Sequence, residues 1–155
     1  MKVILGSDKS GFTLKEALKP VLQQWGHEII EIGTTDPNVG VPFFKVAPEA
    51  AKYLQEGNAD RAILICGTGM GMSQVANKYK GIRAACVESL YGAKMCRAIN
   101  DSNVLCMGGF IVGSDMGINM VKTFLNTEFV EGMEHVEDFL KQAYQDIQGM
   151  EEKLF

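Results

Sequence analysis

The sequence has no apolar run that approaches the roughly 18 residues of a membrane-spanning helix. It also lacks the pattern of a secretory leader, because Asp8 and Lys9 interrupt the short apolar run at its start. A basic face is missing as well: the net charge is -4, and the 15 lysine and arginine residues are scattered along the chain. These absences predict a cytoplasmic protein that binds neither a membrane nor nucleic acid.

Histidine and paired cysteine are equally scarce. His27 and His135 are the only histidines, and the four cysteines include no C-x-x-C pair. A zinc site is therefore not expected. In a cytoplasmic protein disulfides are not expected either, so all four thiols are predicted to be reduced. Cys86 and Cys106 fall within candidate strands, which favours core packing for both.

The sequence does contain short apolar runs that alternate with longer segments of helical period, a pattern typical of βα units around a parallel sheet. Its 155 residues suffice for a single domain with one core. Five strands are predicted, over residues 2–7, 27–32, 61–66, 82–87 and 103–109. Six helices are predicted, near residues 11–25, 44–56, 71–79, 89–99, 114–126 and 134–149.

These elements predict an α/β fold, a three-layer αβα sandwich with a five-stranded parallel sheet of Rossmann-like type. Residues 2–130 would form the core of the domain. The last helix, near 134–149, has an apolar face that would pack on a partner subunit. In such folds ligands bind beyond the carboxyl ends of the strands, so the residues at those ends are the candidates for a functional site.

The most unusual of these strand ends is Cys66, which is followed by glycines at positions 67, 69 and 71. Bare backbone that leads into a helix can offer its N–H groups to an anion. The loop lacks the Gly-Lys-Ser/Thr of ATP-binding loops and the G-x-G-x-x-G of dinucleotide-binding folds, so neither cofactor is expected. The thiol itself is either a small buried side chain or, activated by the helix N-terminus, a nucleophile or general base.

Four segments are distinctive when they are taken together. They read KVILGSDKSGFTLKE, ADRAILICGTGMGMSQVANKYKGIRAA, INDSNVLCMGG and FLNTEF. In this order and spacing, over roughly residues 2–140, they resemble the ribose-5-phosphate isomerase B and galactose-6-phosphate isomerase family. The resemblance implies an aldose–ketose isomerase that uses no metal or cofactor and forms a homodimer or tetramer with its site at the subunit interface.

The resemblance also implies roles for individual residues. Cys66 falls on the family's base, which moves a proton between C1 and C2 of the sugar through a cis-enediolate. Thr68 and Ser73 fall where the family binds substrate hydroxyls, and Asp8 where it binds hydroxyls near the point of ring opening. Asn100 falls where a neighbouring subunit contributes an amide. The residues implied to act in catalysis are Cys66, Thr68 and Asp8. The backbone N–H groups implied to hold the oxyanion lie in the segment Gly67, Thr68, Gly69, Met70 and Gly71.

The chain departs from the family at the groups that open the sugar ring and hold phosphate. Lys9 stands where the family has a phosphate-binding histidine, which makes it the main anion contact expected here. Ile99 stands where the family has the histidine credited with ring opening, and isoleucine cannot exchange a proton. Glu134, Glu137 and Asp138 occupy the region of the family's arginine clamp, where their carboxylates would repel a phosphate.

Three interpretations remain open. In the first, the protein isomerises an acyclic substrate, such as a short ketose or its phosphate, with Lys94 or Arg97 assisting at the anion. In the second, the substrate is a non-phosphorylated sugar or sugar acid. In the third, the chain is a non-catalytic or half-site subunit that needs a paralogous partner, as in the two-subunit galactose-6-phosphate isomerases. Retention of Cys66 together with all three loop glycines favours a catalytic role.

Overall fold

The computed structural model describes residues 1–155 and contains a five-stranded, fully parallel sheet with the strand order β2-β1-β3-β5-β4. The strands are β1 (Lys2–Ser7), β2 (Glu28–Gly33), β3 (Arg61–Cys66), β4 (Ala84–Cys86) and β5 (Val104–Gly108). The helices are α1 (Phe12–Gln24), α2 (Phe43–Gln55), α3 (Met70–Ala76), α4 (Leu90–Ala98), α5 (Ser114–Asn126) and α6 (Glu137–Leu154). None of these helices combines the length and the apolar character that a membrane crossing requires.

Two helical layers cover the two faces of the sheet. Val3 and Leu5 of β1 belong to the apolar cluster beneath α1, α4 and α5, whereas Ile4 belongs to the cluster beneath α2 and α3. Side chains alternate between the faces of a strand, so a strand covered on both sides is apolar throughout. This is why the segments that became β1 and β3 are continuous apolar runs. The predicted αβα sandwich is confirmed.

Strand β4 is shorter than the predicted segment 82–87 because it lies at the edge of the sheet. On its outer side the side chain of Asn77 takes the place of a further strand: Oδ1 accepts from the Ala84 N–H and Nδ2 donates to the Ala84 carbonyl, both at 2.8 Å. The position at the edge also leaves Cys86 exposed. The prediction that Cys86 packs in the core is therefore wrong, whereas Cys106, on the neighbouring β5, is buried as expected.

Helix α6 is longer than predicted and is only partly packed on its own chain. A single 3₁₀ turn occupies Glu134–Val136, and the helix then continues to Leu154, five residues beyond the predicted end at 149. Leu140 is its one buried residue. Its exposed apolar residues, together with the terminal phenylalanine, are Phe139, Ile147, Met150, Leu154 and Phe155. Packing of this face on a partner subunit stays a prediction.

Candidate active site

Cys66 is the last residue of β3, at the centre of the carboxyl edge of the sheet. Its side chain is 4% exposed and belongs to the apolar cluster beneath α2 and α3. The N–H of Gly69 donates to its Sγ at 3.1 Å. The thiol is thus sheltered from water and already faces a backbone donor that could stay in place for a thiolate.

The three glycines of the loop are required by packing. Gly69 precedes α3 with φ +78°, a conformation that favours glycine, and a Cβ there would lie 2.9 Å from the backbone of β5. A Cβ on Gly67 would lie 2.6 Å from the ring of Phe110, and one on Gly71 would lie 2.8 Å from the ring of Phe43. Two aromatic rings and one strand therefore pack directly against the backbone that follows the thiol, and leave no room for side chains there.

The N–H groups of this loop are only partly used within the chain. That of Gly69 is engaged by the thiol, and that of Met70 donates to the Thr68 hydroxyl at a long 3.4 Å. The N–H groups of Gly67, Thr68 and Gly71 make no hydrogen bond within the chain. The loop therefore retains three free donors next to a buried sulfur, an arrangement suited to a developing negative charge.

Asp8 lies beside Cys66 because their strands are neighbours. Ser7 pairs with Ile65 in the parallel register, and the N–H of Asp8 donates to the Ile65 carbonyl at 3.1 Å. The carboxylate is held in turn by the N–H of Gly11, which donates to Oδ1 at 3.0 Å at the start of α1. The structure thus brings the predicted Asp8 and Cys66 to the same edge of the sheet.

Lys9 is exposed and lines an open cavity of about 370 Å³ at this edge. The lining residues of the cavity are Asp8, Lys9, Gly40, Val41 and Pro42. Cys66 is not one of them, but the lining residue Asp8 is hydrogen-bonded to Ile65, the residue before the thiol. A ligand that reached both groups would have its charged end near Lys9 and its reacting carbons near Cys66.

A buried lysine holds in place the loop that contributes Val41 to this cavity. Lys15 is fully buried in α1, and its Nζ donates to Glu31 Oε1 at 2.6 Å and to the Thr34 carbonyl at 2.5 Å. The Thr34 hydroxyl accepts from the Val41 N–H at 2.9 Å, which ties the loop after β2 back to the end of that strand. The position of Val41, and with it the shape of the cavity, therefore depends on this brace.

Thr68 and Ser73 have different surroundings. Thr68 is exposed in the loop, and its carbonyl accepts from the thiol of Cys86 at 3.6 Å. The Ser73 hydroxyl, in α3, donates weakly to the Ala84 carbonyl at 3.4 Å and so points toward the edge strand β4. Of these two predicted substrate contacts, Thr68 has the more accessible hydroxyl.

Asn100 and Ile99 are not brought to Cys66 by the fold. They lie between α4 and β5, at the amino edge of the sheet, whereas Cys66 ends β3 at the carboxyl edge. Asn100 instead lines a separate cleft of about 350 Å³ together with Tyr144 and Gln148 of α6. Within one chain, therefore, the predicted amide and the predicted base belong to opposite ends of the molecule.

The acidic residues that replace the family's arginine clamp also form a cleft of their own. Glu134, Glu137 and Asp138 line a depression of about 340 Å³ around the start of α6. Backbone hydrogen bonds lower the pKa of the Glu134 carboxyl, so this group remains charged at neutral pH. The three carboxylates outnumber His135, which also lines the depression, so their charge would repel a phosphate.

The expectation that Arg97 assists at the anion is wrong. Arg97 is 1% exposed, and its guanidinium donates at 2.7 Å to Asp101 Oδ1 and to the Ser102 carbonyl. A third bond, at 3.2 Å, goes to the Thr127 carbonyl. Arg97 is therefore a buried brace between the end of α4 and the segment that follows α5, and it is not exposed to a ligand at the carboxyl edge.

The other three thiols are poor candidates for a base. Burial raises the pKa of Cys106 well above its ordinary value and that of Cys96 to about 11. Burial, the charge of Glu88 and the neighbouring Cys66 raise the pKa of Cys86. No group of three His, Cys, Asp or Glu side chains is placed to hold a metal ion.

Phe110 is a residue of this edge that the sequence did not indicate. Its N–H donates to the Gly67 carbonyl at 3.0 Å, its ring lies against Gly67, and the side chain is 76% exposed. The available signal was an aromatic residue directly after the two glycines that end the fifth strand. That signal gains meaning only when β5 is known to lie beside β3.

Comparisons with known proteins identify the family of this chain. Residues 3–141 match the model of the ribose/galactose isomerase family. The chain is 53% identical to 4-deoxy-4-sulfo-D-erythrose isomerase of Clostridium sp. strain MSTE9, over 100% of this chain and 98% of that protein. It is 39% identical to D-erythrulose-4-phosphate isomerase 2 of Mycolicibacterium smegmatis, over 83% of this chain and 86% of that protein.

Comparison with solved structures identifies the same family. The structure of ribose-5-phosphate isomerase B from Clostridium thermocellum superimposes with a TM-score of 0.90 and 37% sequence identity, and the match covers 100% of both chains. The family inferred from the four sequence segments is thereby confirmed, as is the prediction of an enzyme. The chain belongs to the ribose/galactose isomerase family and is an aldose–ketose isomerase of that family.

Proposed function

We propose that this protein interconverts the aldose and ketose forms of a four-carbon sugar whose C4 bears an anionic group, with Cys66 as the base. The observation that carries the proposal is the 53% identity, over the whole chain, to a protein named for 4-deoxy-4-sulfo-D-erythrose. A second relative is named for D-erythrulose 4-phosphate. Both names describe four carbons that end in an anion.

Such a substrate explains the presence of Ile99. An aldose closes a five-membered ring through the hydroxyl on C4, and a ketose closes one through the hydroxyl on C5. A four-carbon sugar that is substituted at C4 has neither hydroxyl and stays open. The enzyme then needs no group that opens a ring, so isoleucine at the position of the family's histidine removes no necessary step.

The proton transfer follows from the groups at the carboxyl edge. The Cys66 thiolate takes a proton from C1 of the ketose; the electrons of that C–H bond form the C1–C2 double bond, and those of the carbonyl move to its oxygen. The free N–H groups of Gly67, Thr68 and Gly71 support this oxyanion. Each such donor typically lowers the barrier by about 3 kcal/mol. The thiol then returns its proton to C2.

A second proton must move from the oxygen on C1 to the oxygen on C2. The Thr68 hydroxyl and the Asp8 carboxylate lie at the same edge as Cys66 and are the groups proposed for this transfer. Ser73 and the backbone of Met70 would contact the substrate from the side of α3. Lys9 would hold the anion on C4 from the cavity beside the thiol.

Residues 1–155 act in this proposal as one isomerase domain, in a homodimer or tetramer. Two features support a second subunit. Asn100 lies at the edge of the sheet away from Cys66, so it can serve a site only in another copy. The exposed apolar face of α6 provides a surface for that contact, with Phe139 71% exposed.

The test is exchange of carbon-bound hydrogen with solvent. The purified protein is incubated in D₂O with 4-deoxy-4-sulfo-D-erythrulose, D-erythrulose 4-phosphate, D-ribose 5-phosphate and a uronate, and deuterium is located by mass spectrometry. Label at C1 or C2 of the four-carbon anions is expected. Absence of label in folded protein would overturn the proposal, and label that appears only with a paralogous chain would favour the half-site subunit.

The same exchange experiment, done with variants, tests whether Cys66 is the base. Cys66→Ser is expected to abolish exchange, because a serine hydroxyl is far too weak an acid to act as this base. Cys96→Ser is the matched control, since Cys96 lies in α4 and in the apolar cluster on the opposite face of the sheet from Cys66, and takes no part in the proposed transfer. Full exchange by folded Cys66→Ser would show that the base is another group.

A further inference from the structure

The anion end of the proposed site offers a single positive charge. Lys9 is exposed in the cavity beside Cys66 and takes part in none of the ion pairs of the chain. The remaining lining residues, apart from Asp8, are Gly40, Val41 and Pro42, which carry no charge. Within one chain, a ligand in this cavity therefore meets one ammonium group and no second cation.

The helix that starts here adds no further positive charge. The Asp8 carboxylate already accepts the N–H of Gly11 at 3.0 Å, just before α1 begins. It therefore balances the partial positive charge of the helix N-terminus. The charged groups of the adjoining segments are Asp36, in the loop after β2, and Lys45, in the first turn of α2; both are exposed, and neither lines the cavity.

We propose, on the basis of the function proposed above, that this subsite selects a monoanion, and thus a sulfonate or a singly protonated phosphate ester over a phosphate dianion. One ammonium group balances one negative charge. A phosphate ester gains its second charge above a pKa of about 6. That charge would have no partner in the cavity and would lie next to the Asp8 carboxylate. A sulfonate keeps one charge at every pH at which the protein is folded.

The test compares three ketoses that differ only at C4: 4-deoxy-4-sulfo-D-erythrulose, D-erythrulose 4-phosphate and D-erythrulose. kcat/KM is measured for each between pH 5 and pH 8. The ratio of the phosphate value to the sulfonate value is the informative quantity, because titrations of the enzyme affect both substrates alike and cancel. The ratio is expected to be level below about pH 6 and to fall by up to about tenfold per pH unit above it.

Substitution of Lys9 tests whether this group is responsible. Lys9→Met is expected to lower kcat/KM for both anions by about 10- to 100-fold, the usual worth of a hydrogen bond to a charged group, and to lower kcat/KM for neutral D-erythrulose by much less. Lys52→Met is the matched control: Lys52 is an exposed lysine at the far end of α2, and its removal is expected to change nothing. Equal losses for all three ketoses in Lys9→Met would overturn the proposal.

Adding a second positive charge to the cavity gives an independent test of the monoanion subsite. Val41→Lys places a second ammonium group in the cavity and is expected to flatten the pH dependence of the ratio by admitting the dianion. A ratio that is already level in the unmodified protein would overturn the monoanion subsite while leaving the isomerase intact. Failure to turn over any of the three ketoses would instead overturn the proposed function, and this inference with it.

Discussion

At Gly69 an added methyl group would strain the backbone and would also clash with neighbouring atoms. The residue has φ +78°, and a Cβ would lie 2.9 Å from the Met107 backbone and 3.0 Å from the Cys86 sulfur. Gly69→Ala is expected to lower the free energy of unfolding by about 3 kcal/mol or more, because backbone strain and overpacking add. Denaturant unfolding measures this loss.

The control is Gly57→Ala. Gly57 has a similar φ of +70°, but nothing lies within 4 Å of the added Cβ. This variant is expected to lose only the cost of the left-handed conformation, about 1 kcal/mol. Equal losses in the two variants would show that contact with β5 does not constrain the loop.

The same residues show how far the sequence could predict the site. Cys66 and its glycines were identified from their order along the chain, and free N–H groups in that loop fit the predicted oxyanion contacts. The packing reason for the glycines was not predictable, because the rings of Phe43 and Phe110 come from segments far away in sequence. Contacts of this kind depend on which strands become neighbours.

At the scale of elements, the brace between α1 and β2 makes stability depend on pH. Burial alone would raise the pKa of Glu31, but hydrogen bonds from Lys15 and Lys19 lower it overall from its ordinary value of 4.5. A carboxyl whose pKa is lowered by folding stabilises the fold above pH 4.5, and that contribution disappears as the pH falls through its folded pKa. The free energy of unfolding is therefore expected to decrease in acid.

Glu31→Gln tests this expectation. The variant is expected to be less stable than the wild type at pH 7 by roughly 1 to 3 kcal/mol, since buried Lys15 loses a charged partner, and to be less sensitive to acid. Glu28→Gln, on the same strand, removes only an exposed pair with Lys2 at 3.7 Å and serves as the control. Parallel plots of unfolding free energy against pH for wild type and Glu31→Gln would contradict the assignment.

The elements also differ in how well their sequences defined them. β1 and β3 were predicted to the residue, because both are apolar on two covered faces. β4 was predicted too long, since a strand at the edge of the sheet pairs on one side only, and the sequence of residues 82–87 does not show where that pairing begins and ends. The end of α6 was missed because its last residues are mostly exposed and no packed stripe marks the boundary.

At the scale of the molecule, the two edges of the sheet predict complementation between subunits. Cys66→Ser and Asn100→Ala are each expected to be impaired alone. If Asn100 serves the Cys66 of another copy, a mixed dimer contains one intact site. Equal mixing after reversible dissociation makes half of the dimers mixed, so roughly a quarter of wild-type activity is expected to return. Activity equal to the average of the two variants would show that the residues do not meet across subunits.

The side chain of Asn77 has a consequence for how whole molecules meet. The side-chain amide of Asn77 hydrogen-bonds both the N–H and the carbonyl of Ala84. On that side of the sheet it takes the place of the peptide group of a neighbouring strand. An open strand edge is a template on which identical chains can extend into fibrils. Here the Asn77 side chain prevents another strand from pairing at Ala84. Contacts between copies on this side of the sheet would therefore have to involve helical surfaces.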